Sequence, residues 1–401
     1  MTVFYDQGVP LFGQDPYEQK RNEMVQQYIE TAGVRDERVL QSLRDTARHE
    51  FVPRAVRSRA YLDMALPIGE AQTISSPFIV AMMTEALDPR PTDVVLEIGT
   101  GSGYQAAVLS PLVSKVYSIE IVPELGLAAA NVLERLEYKN VFTRVGDGFL
   151  GWPEVAPFDK MIVTCSPENV PKPLLDQLKE GGQMIIPVGE RYQQTLYRMI
   201  KQEGKLVRQP LRPTLFVPMT GEAEANRKVH PDPQNPKVIN GDFEEGGASS
   251  LGKNGLVFGW YYGRQVKRLS EANRGSSDAE VRTFARFENQ TPGLDSHLLQ
   301  GIPIDGQVVS LVRLGAMVRT KDVRRGTSKE DLPVLALTLY DEERKELGSV
   351  WLGPYRGTSE WKRSSRLVPI PPATREAILR IGLFGATGIA DFDEISIKRL
   401  D

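Results

Sequence analysis

Leu96-Glu97-Ile98-Gly99-Thr100-Gly101-Ser102-Gly103-Tyr104 decides the reading of this chain. It follows Asp93-Val94-Val95, an apolar run of strand type, and precedes residues 104–112, which have helical spacing. Three glycines on alternate positions let backbone pass close to a ligand where a Cβ would collide. The following helix offers unpaired N–H groups to an electron-rich group. A short tight turn uses the same residues, so the flanking strand and helix carry the inference.

The same alternation extends on both sides. Residues 19–32 have helical spacing, and Asp36 is placed to cap a helix over 37–46. A third helix is expected over 77–87. Strands are expected over 115–120, 141–145, 158–164 and 183–188, with helices over 123–136 and 173–179. This order predicts an α/β Rossmann-like domain, a parallel sheet with helices on both faces. Glu120 ends the second strand, where a carboxylate can accept from two ribose hydroxyls. Asp147, in Gly146-Asp147-Gly148 after the third strand, could accept from an adenine amino group. Either acid alone reads as a solvated loop residue. Together with the glycine loop they describe a nucleoside pocket. A dinucleotide site is the rival, but the spacing Glu-x-Gly-x-Gly-x-Gly differs from Gly-x-Gly-x-x-Gly.

The chain has 401 residues, enough for two or three domains, with 41% hydrophobic and 25% charged residues. With 49 basic and 52 acidic residues the net charge is −3, which makes no global case for nucleic acid or an anionic membrane. The single cysteine, Cys165, excludes an internal disulfide and a cysteine-rich metal site. His49, His230 and His297 show no metal-ligand spacing. No apolar run is long enough to span a membrane, and residues 1–20 lack a signal-peptide core. A cytoplasmic location is expected, unless an export signal lies upstream of the first residue.

Charge shifts near residue 226: 23 basic and 29 acidic residues up to Asn226, then 26 and 23. Lys228-Val-His-Pro-Asp-Pro-Gln-Asn-Pro-Lys237 continues neither helix nor central strand. The expected division is a first domain over 1–226, a flexible Pro-rich linker over 227–237, and a second domain over 238–401. Runs at 308–318, 334–340 and 377–383 are β-type and separated by glycine-rich turns, which predicts an antiparallel jelly-roll sandwich. With no core in the linker, the first domain is expected to fold and work alone.

Residues from about 20 to 220 resemble protein-L-isoaspartate O-methyltransferases. The glycine loop belongs to class I methyltransferases in general. Specific support comes from His49-Glu-Phe-Val-Pro53, Ala60-Tyr-Leu-Asp63, Leu66-Pro-Ile-Gly69, Gln72-Thr-Ile-Ser-Ser-Pro77, Leu175-Asp-Gln-Leu-Lys-Glu-Gly-Gly182, Ile186-Pro-Val-Gly189 and Phe216-Val-Pro218. The resemblance implies S-adenosylmethionine as methyl donor and isoaspartyl residues of damaged proteins or peptides as acceptor. It puts Ser75 at the active-site hydroxyl, and Glu97, Gly99, Gly101, Gly103, Glu120, Asp147 and Gly148 at cofactor positions. Thr73, Ser76, Thr164 and Val217 fall on the acceptor side. Thr164-Cys-Ser-Pro-Glu-Asn-Val-Pro171 departs from the family's commoner small-residue pattern there.

A carboxylate acceptor is already ionised near neutral pH, so no general base is needed. The task is holding oxygen, methyl carbon and sulfur in line, for which uncharged hydroxyls such as Thr73, Ser75 and Ser76 suit. Without the resemblance, Gln72-Thr-Ile-Ser-Ser-Pro77 reads as an ordinary helix cap with Pro77 in the first turn.

The second domain is similar to carbohydrate-binding-module jelly rolls of the galactose-binding-like type. The matching pieces are Asn240-Gly-Asp-Phe-Glu-Glu-Gly246, Gly259-Trp260, Gly357-Thr-Ser-Glu-Trp361 and Phe392-Asp-Glu-Ile-Ser-Ile397. That resemblance implies a structural calcium held through Glu244 and Asp393, with a plain polar turn as the alternative. Trp260 and Trp361 read as core, and Trp351 and Tyr355 as an exposed platform for a glycan or glycoprotein. Two rivals remain at this level: a methyltransferase for another carboxylate or a small molecule, and a polysaccharide- or protein-binding protein whose first domain is a scaffold.

Overall fold

The computed structural model describes residues 16–245, 257–272, 281–327, 329 and 331–400. Residues 1–15, most of the stretch read as lacking a signal-peptide core, and Gly246, the end of the first jelly-roll motif, lie outside them. No helix among the described residues is long and apolar enough to cross a membrane.

The first domain opens with α1 (Glu18–Met24), continued by a π-helical turn, and α2 (Glu37–Asp45). Asp36 caps α2 by accepting from the Arg38 N–H. A two-stranded hairpin, β1 (Leu66–Gly69) and β2 (Gln72–Ile74), leads into α3 (Pro77–Leu87). Pro77 starts that helix, where its missing N–H costs nothing. The sheet then builds through β3 (Val94–Ile98), α4 (Tyr104–Leu109), β4 (Lys115–Glu120), α5 (Pro123–Arg135), β5 (Val141–Val145), β6 (Phe158–Val163), α6 (Lys172–Gln177) and β7 (Leu178–Glu190). Val95, Leu96, Met161, Ile162 and Val163 are fully buried, as expected of strands covered on both faces.

The sheet contains the five expected parallel strands and extends beyond them. Its order is β5-β4-β3-β6-β7-β8-β9. The first five strands run parallel, but β8 (Gln193–Gln202) and β9 (Lys205–Thr214) add an antiparallel meander. Glu203 and Gly204 both have positive φ, the two-residue turn that matches strand twist in a hairpin. A short helix, α7 (Glu222–Ala225), closes the domain.

The second domain is a sandwich of two antiparallel sheets. One has the order β10 (Val266–Ala272), β11 (Val281–Asn289), β18 (Thr387–Arg399), β13 (Leu311–Arg324), β16 (Gly357–Pro369). The other has β12 (His297–Pro303), β17 (Glu376–Gly382), β14 (Val334–Tyr340), β15 (Glu346–Leu352). Phe287, Leu298, Leu314, Leu337, Leu379 and Phe392 fill the space between them. The chain's opening and closing motifs lock together here. Trp260 donates its indole N–H to the Asn240 carbonyl and stacks on Phe243, and Ile395 N–H bonds to the Gly241 carbonyl.

The residues between the domains are held along their length, so the flexible tether read from the prolines is a docked segment. Arg227 is buried and donates to the Gly189 and Ser166 carbonyls. Glu168 accepts from the N–H groups of Lys228 and Val229. Pro233 accepts from Asp305 N–H, and Gln234 from Arg399. The domains also meet directly. Tyr192, in the β7–β8 turn, donates its hydroxyl to Glu376 at 3.0 Å, while its carbonyl accepts from the Tyr261 hydroxyl. Tyr262 packs against the first domain's core.

That contact sets a stability test. Tyr261→Phe leaves the buried Tyr192 carbonyl without its partner, at a cost of about 1–3 kcal/mol. Thermal unfolding of the full chain should show the lower midpoint. An unchanged midpoint would mean that the two domains do not stabilise each other through this bond.

Candidate active site

The glycine loop follows β3 at the carboxyl end of the parallel strands. Gly99, Gly101 and Gly103 all have positive φ, which a side chain would strain. Their surroundings differ. A Cβ on Gly99 would lie 2.5 Å from Thr164 Oγ1. That hydroxyl is tied to the Ile98 and Gly99 carbonyls at 3.0 and 2.8 Å. Gly103 meets Leu133 and Ala129, so it lets α4 approach α5. A Cβ on Gly148 would meet Ile98 Cγ2 at 2.3 Å. Around Gly101 a Cβ meets only Ile68, at 3.4 Å, so a larger side chain there would enter the cleft.

The acids brace this loop from behind. Glu120 accepts from the Gly101 N–H at 2.7 Å and from Val122 at 3.0 Å. Glu97 is fully buried on the central strand. Its Oε2 accepts from Ser118 at 2.5 Å, and Ser118 lies 2.6 Å from the Thr100 hydroxyl. Its Oε1 is buried without a partner. Burial pushes its pKa up to about 8, with the Glu120 charge adding and the Ser118 bond opposing. Asp147 accepts from Phe149 N–H at 2.9 Å and from Glu222 N–H at 2.8 Å, which joins this loop to α7. Each carboxylate oxygen accepts two bonds, so Asp147 and Glu120 keep capacity for a ligand.

The turn from β2 into α3 carries the hydroxyls. Ser76 occupies the N-cap position but makes no capping bond, and its hydroxyl is buried without a partner. The cap comes from Asp63, whose Oδ1 accepts from Phe78 N–H at 2.7 Å. The local helix-cap reading of Ser75-Ser76-Pro77 is therefore replaced by a long-range cap. Behind the turn, Arg48 is fully buried and donates to the Ser75 carbonyl at 2.7 Å and the Ala60 carbonyl at 2.9 Å.

Two clefts meet at Thr73, Gly99, Gly101 and Thr164. The larger, about 560 Å³, is lined by these and by Glu120, Gly148, Val217 and Met219, among others. The second, about 410 Å³, contains Ser75, Ser102, Tyr104 and Gln105. Among the described residues neither is lined by a lysine or arginine. Glu97, Gly103, Asp147 and Ser76 do not line either cleft; they stand behind the wall. Gln72, Ile121, Val122, Met219 and Thr220 also line the first cleft and were not among the expected site residues. Gln72 lies in a quoted block. The others are apolar or small residues beside the acids and the closing block, without a signal of their own.

Cys165 is half-buried and lines the larger cleft, and burial with the nearby Glu120 and Asp147 charges pushes its thiol pKa up, which keeps it protonated. His49 bonds to Tyr61 at 2.6 Å, and His297 pairs with Asp295 at 3.0 Å. The expected calcium pair gains no support: Glu244 accepts from the Thr283 N–H and hydroxyl, and Asp393 pairs with Arg282 at 3.1 Å. Among the described residues no group of three or more His, Cys, Asp or Glu could hold a metal ion. Trp260 is buried as expected and Trp351 is half exposed. Tyr355 is turned against Phe392 with its hydroxyl buried, so the two-residue platform does not form. Trp361 is only partly buried, between the Arg282 and Arg319 guanidiniums, instead of in the core.

Residues 19–224 match the model of the protein-L-isoaspartate(D-aspartate) O-methyltransferase family. A protein-L-isoaspartate O-methyltransferase of Methanoculleus marisnigri is 46% identical over 217 residues, 54% of this chain and 99% of the relative. One from Dictyoglomus turgidum is 46% identical over 53% of this chain and 96% of the relative. A solved protein-L-isoaspartate O-methyltransferase, 30% identical, covers 51% of this chain and 67% of that one, with a TM-score of 0.47.

The Glu97 environment has a pH signature. Folding raises its pKa from the ordinary carboxylate value of about 4.3 to about 8. Between those limits the folded chain holds a proton that the unfolded chain releases. Stability of the ligand-free protein should therefore fall as pH rises from about 5 to about 8, by on the order of 4 kcal/mol from this group. Glu97→Gln should flatten that fall in denaturant titrations. An equally steep fall in the variant would assign the effect elsewhere.

Proposed function

The chain belongs to the protein-L-isoaspartate O-methyltransferase family, and on that premise we propose that it transfers a methyl group from S-adenosylmethionine to the free carboxylate of L-isoaspartyl residues in damaged proteins or peptides. The observation that carries the reading is the meeting of two clefts at Thr73, Gly99, Gly101 and Thr164. One has the glycine cradle and Glu120, and the other has Ser75. Two ligands placed so would face each other across a few atoms.

The residues fit the donor. Gly101 leaves room beside the loop, Gly148 lets the backbone approach Ile98, and Glu97 Oε1 is a buried polar atom without a protein partner. Bound S-adenosylmethionine supplies a methyl group on a positively charged sulfur. Glu120 would accept from ribose hydroxyls, and the Asp147-Gly148 turn would face the base. Asp147 reaches it through the backbone it braces or through its remaining lone pairs.

On the acceptor side, Ser75 donates a hydrogen bond to one carboxylate oxygen and aims the other. Thr73 and Val217 line the approach. Thr164 acts by holding Gly99, and Ser76 by filling the turn. A hydroxyl suits this step because an ionised carboxylate needs no base, and a cationic clamp would bind the ground state as firmly as the transition state. As oxygen attacks carbon, opposite charges neutralise, so a site that excludes water helps. Within this reading residues within 1–226 line both clefts and 227–237 form the connection. Residues 238–401 form a jelly roll of the galactose-binding-like type. Glycan binding and calcium are not part of it, given Tyr355 and the partners of Glu244 and Asp393.

Two substitutions separate the lobes. Gly101→Val should weaken S-adenosylmethionine binding more than tenfold, about 1.4 kcal/mol, in calorimetry. Unchanged affinity in the folded variant would remove the cofactor assignment. Ser75→Ala should lower turnover of an isoaspartyl peptide by roughly 10–100-fold while cofactor affinity stays near wild type. Normal turnover would reduce Ser75 to a wall residue.

A further inference from the structure

The turn that carries Ser75 is clamped at both ends. Arg48 holds the Ser75 carbonyl from the core side, and Asp63 holds the Phe78 N–H. Asp63 is itself held. Its Oδ2 lies 2.5 Å from Arg264 Nη2, and that arginine belongs to the second domain. Both side chains are largely buried, at 6% and 18% exposure, so solvent screens the pair weakly. The same guanidinium stacks 4.5 Å from the Phe78 ring centroid, with Arg212 on that ring at 5.2 Å. Arg264 thus touches both partners of the hydrogen bond that caps α3.

The segment presenting Arg264 is shaped for this contact. Tyr262 and Gln265, on either side of it, have φ of 59° and 51°. Bulky residues in the left-handed region are held there only where surrounding structure over-determines them. Tyr261 bonds to the Tyr192 carbonyl and Tyr262 packs into the first domain's core, which fixes the segment on both sides of the interface.

We propose that Arg264 is a positioning residue for the methyl-transfer step: through Asp63 and Phe78 it sets the turn that aims the Ser75 hydroxyl, so that the second domain completes the acceptor side of the active site. The proposal rests on the acceptor role assigned to that turn. Arg264 touches neither cleft, so its effect reaches the acceptor without reaching the cofactor. The reason is geometric. An acceptor oxygen must lie about 3 Å from the methyl carbon and in line with the sulfur, and small displacements cost rate steeply.

The test uses the full-length chain with Arg264→Ala and Arg264→Lys. Amide exchange over residues 74–79, read by mass spectrometry, should accelerate about tenfold in the alanine variant, while α5 keeps its protection. Turnover number on an isoaspartyl peptide should drop about tenfold, with S-adenosylmethionine affinity within about twofold of wild type. Lysine, which retains the charge, should recover a substantial part of both. If the alanine chain does not fold, Arg264→Gln carries the same expectation with less loss of packing. Unchanged exchange over 74–79 would overturn the proposal, as would parallel loss of turnover and cofactor affinity in all variants. A wild-type chain that binds cofactor yet labels no isoaspartyl peptide would instead overturn the reading of the acceptor turn. The exchange measurement would still decide whether Arg264 holds it.

Discussion

There is no room for a β-carbon at Gly99, because Thr164 Oγ1 would lie 2.5 Å from it. That close approach ties the carboxyl ends of β3 and β6 together. Thr164 N–H bonds to the Ile98 carbonyl, its hydroxyl bonds to the Gly99 carbonyl, and Gly99 N–H bonds to Ile119 at the end of β4. Three adjacent parallel strands are thereby gathered at one point. Glu120 then satisfies the Gly101 N–H of the loop, and Glu97 lies behind it, bonded to the Ser118 hydroxyl. The cleft is the space left over when the loop is pulled tight. A side chain at Gly99 would push the loop off Thr164, which lines both clefts.

Electrostatics divides the site into two characters. The donor side is acidic and suited to a cationic ligand. The acceptor side has hydroxyls at the surface and a buried guanidinium, Arg48, one layer back. Burial and, second, neighbouring Arg264 push the Arg212 pKa down to about 10, so it remains a cation at neutral pH. Arg48, Arg212 and Arg264 thus surround the acceptor turn from behind without lining its cleft. Asp63 offsets Arg264, so Arg48 and Arg212 supply the field that favours an anionic ligand at long range, while the hydroxyl contact proposed for Ser75 is uncharged. This arrangement fits a reaction in which the carboxylate must be attracted but then released to attack.

Much of this was legible in the sequence where the determinants are local. β4 and β5 fall over the residues the apolar runs predict, and α3 starts on Pro77. Asp36 caps α2 because a capping carboxylate needs only the next few residues. The glycine loop and Glu120 were read for the same reason, from the strand and helix beside them, whereas Ser75 was named only through the family resemblance. What escaped depends on contacts between distant residues. β8 and β9 have mixed polar and apolar faces, with Glu203-Gly204 as their one sharp turn signal, and so the mixed sheet went unread. Asp63 was visible in a family block, yet its role as the cap of α3 requires knowing where β1 and β2 fold back. The prolines of 228–237 argue correctly against helix and strand, but a residue that cannot join a sheet can still dock. That segment's hydrogen bonds to Glu168 and Asp305 come from both domains.

A site of this kind should methylate an isoaspartyl carboxylate and leave its normal counterpart untouched. The direct measurement is transfer of labelled methyl from S-adenosylmethionine to two peptides of one sequence, differing only in an L-isoaspartyl or L-aspartyl residue. The account predicts stoichiometric label on the isoaspartyl peptide, lost on mild alkaline hydrolysis as an ester should be, and background on the aspartyl peptide. Equal labelling of both peptides, or none on either from a chain that binds the cofactor, would contradict it.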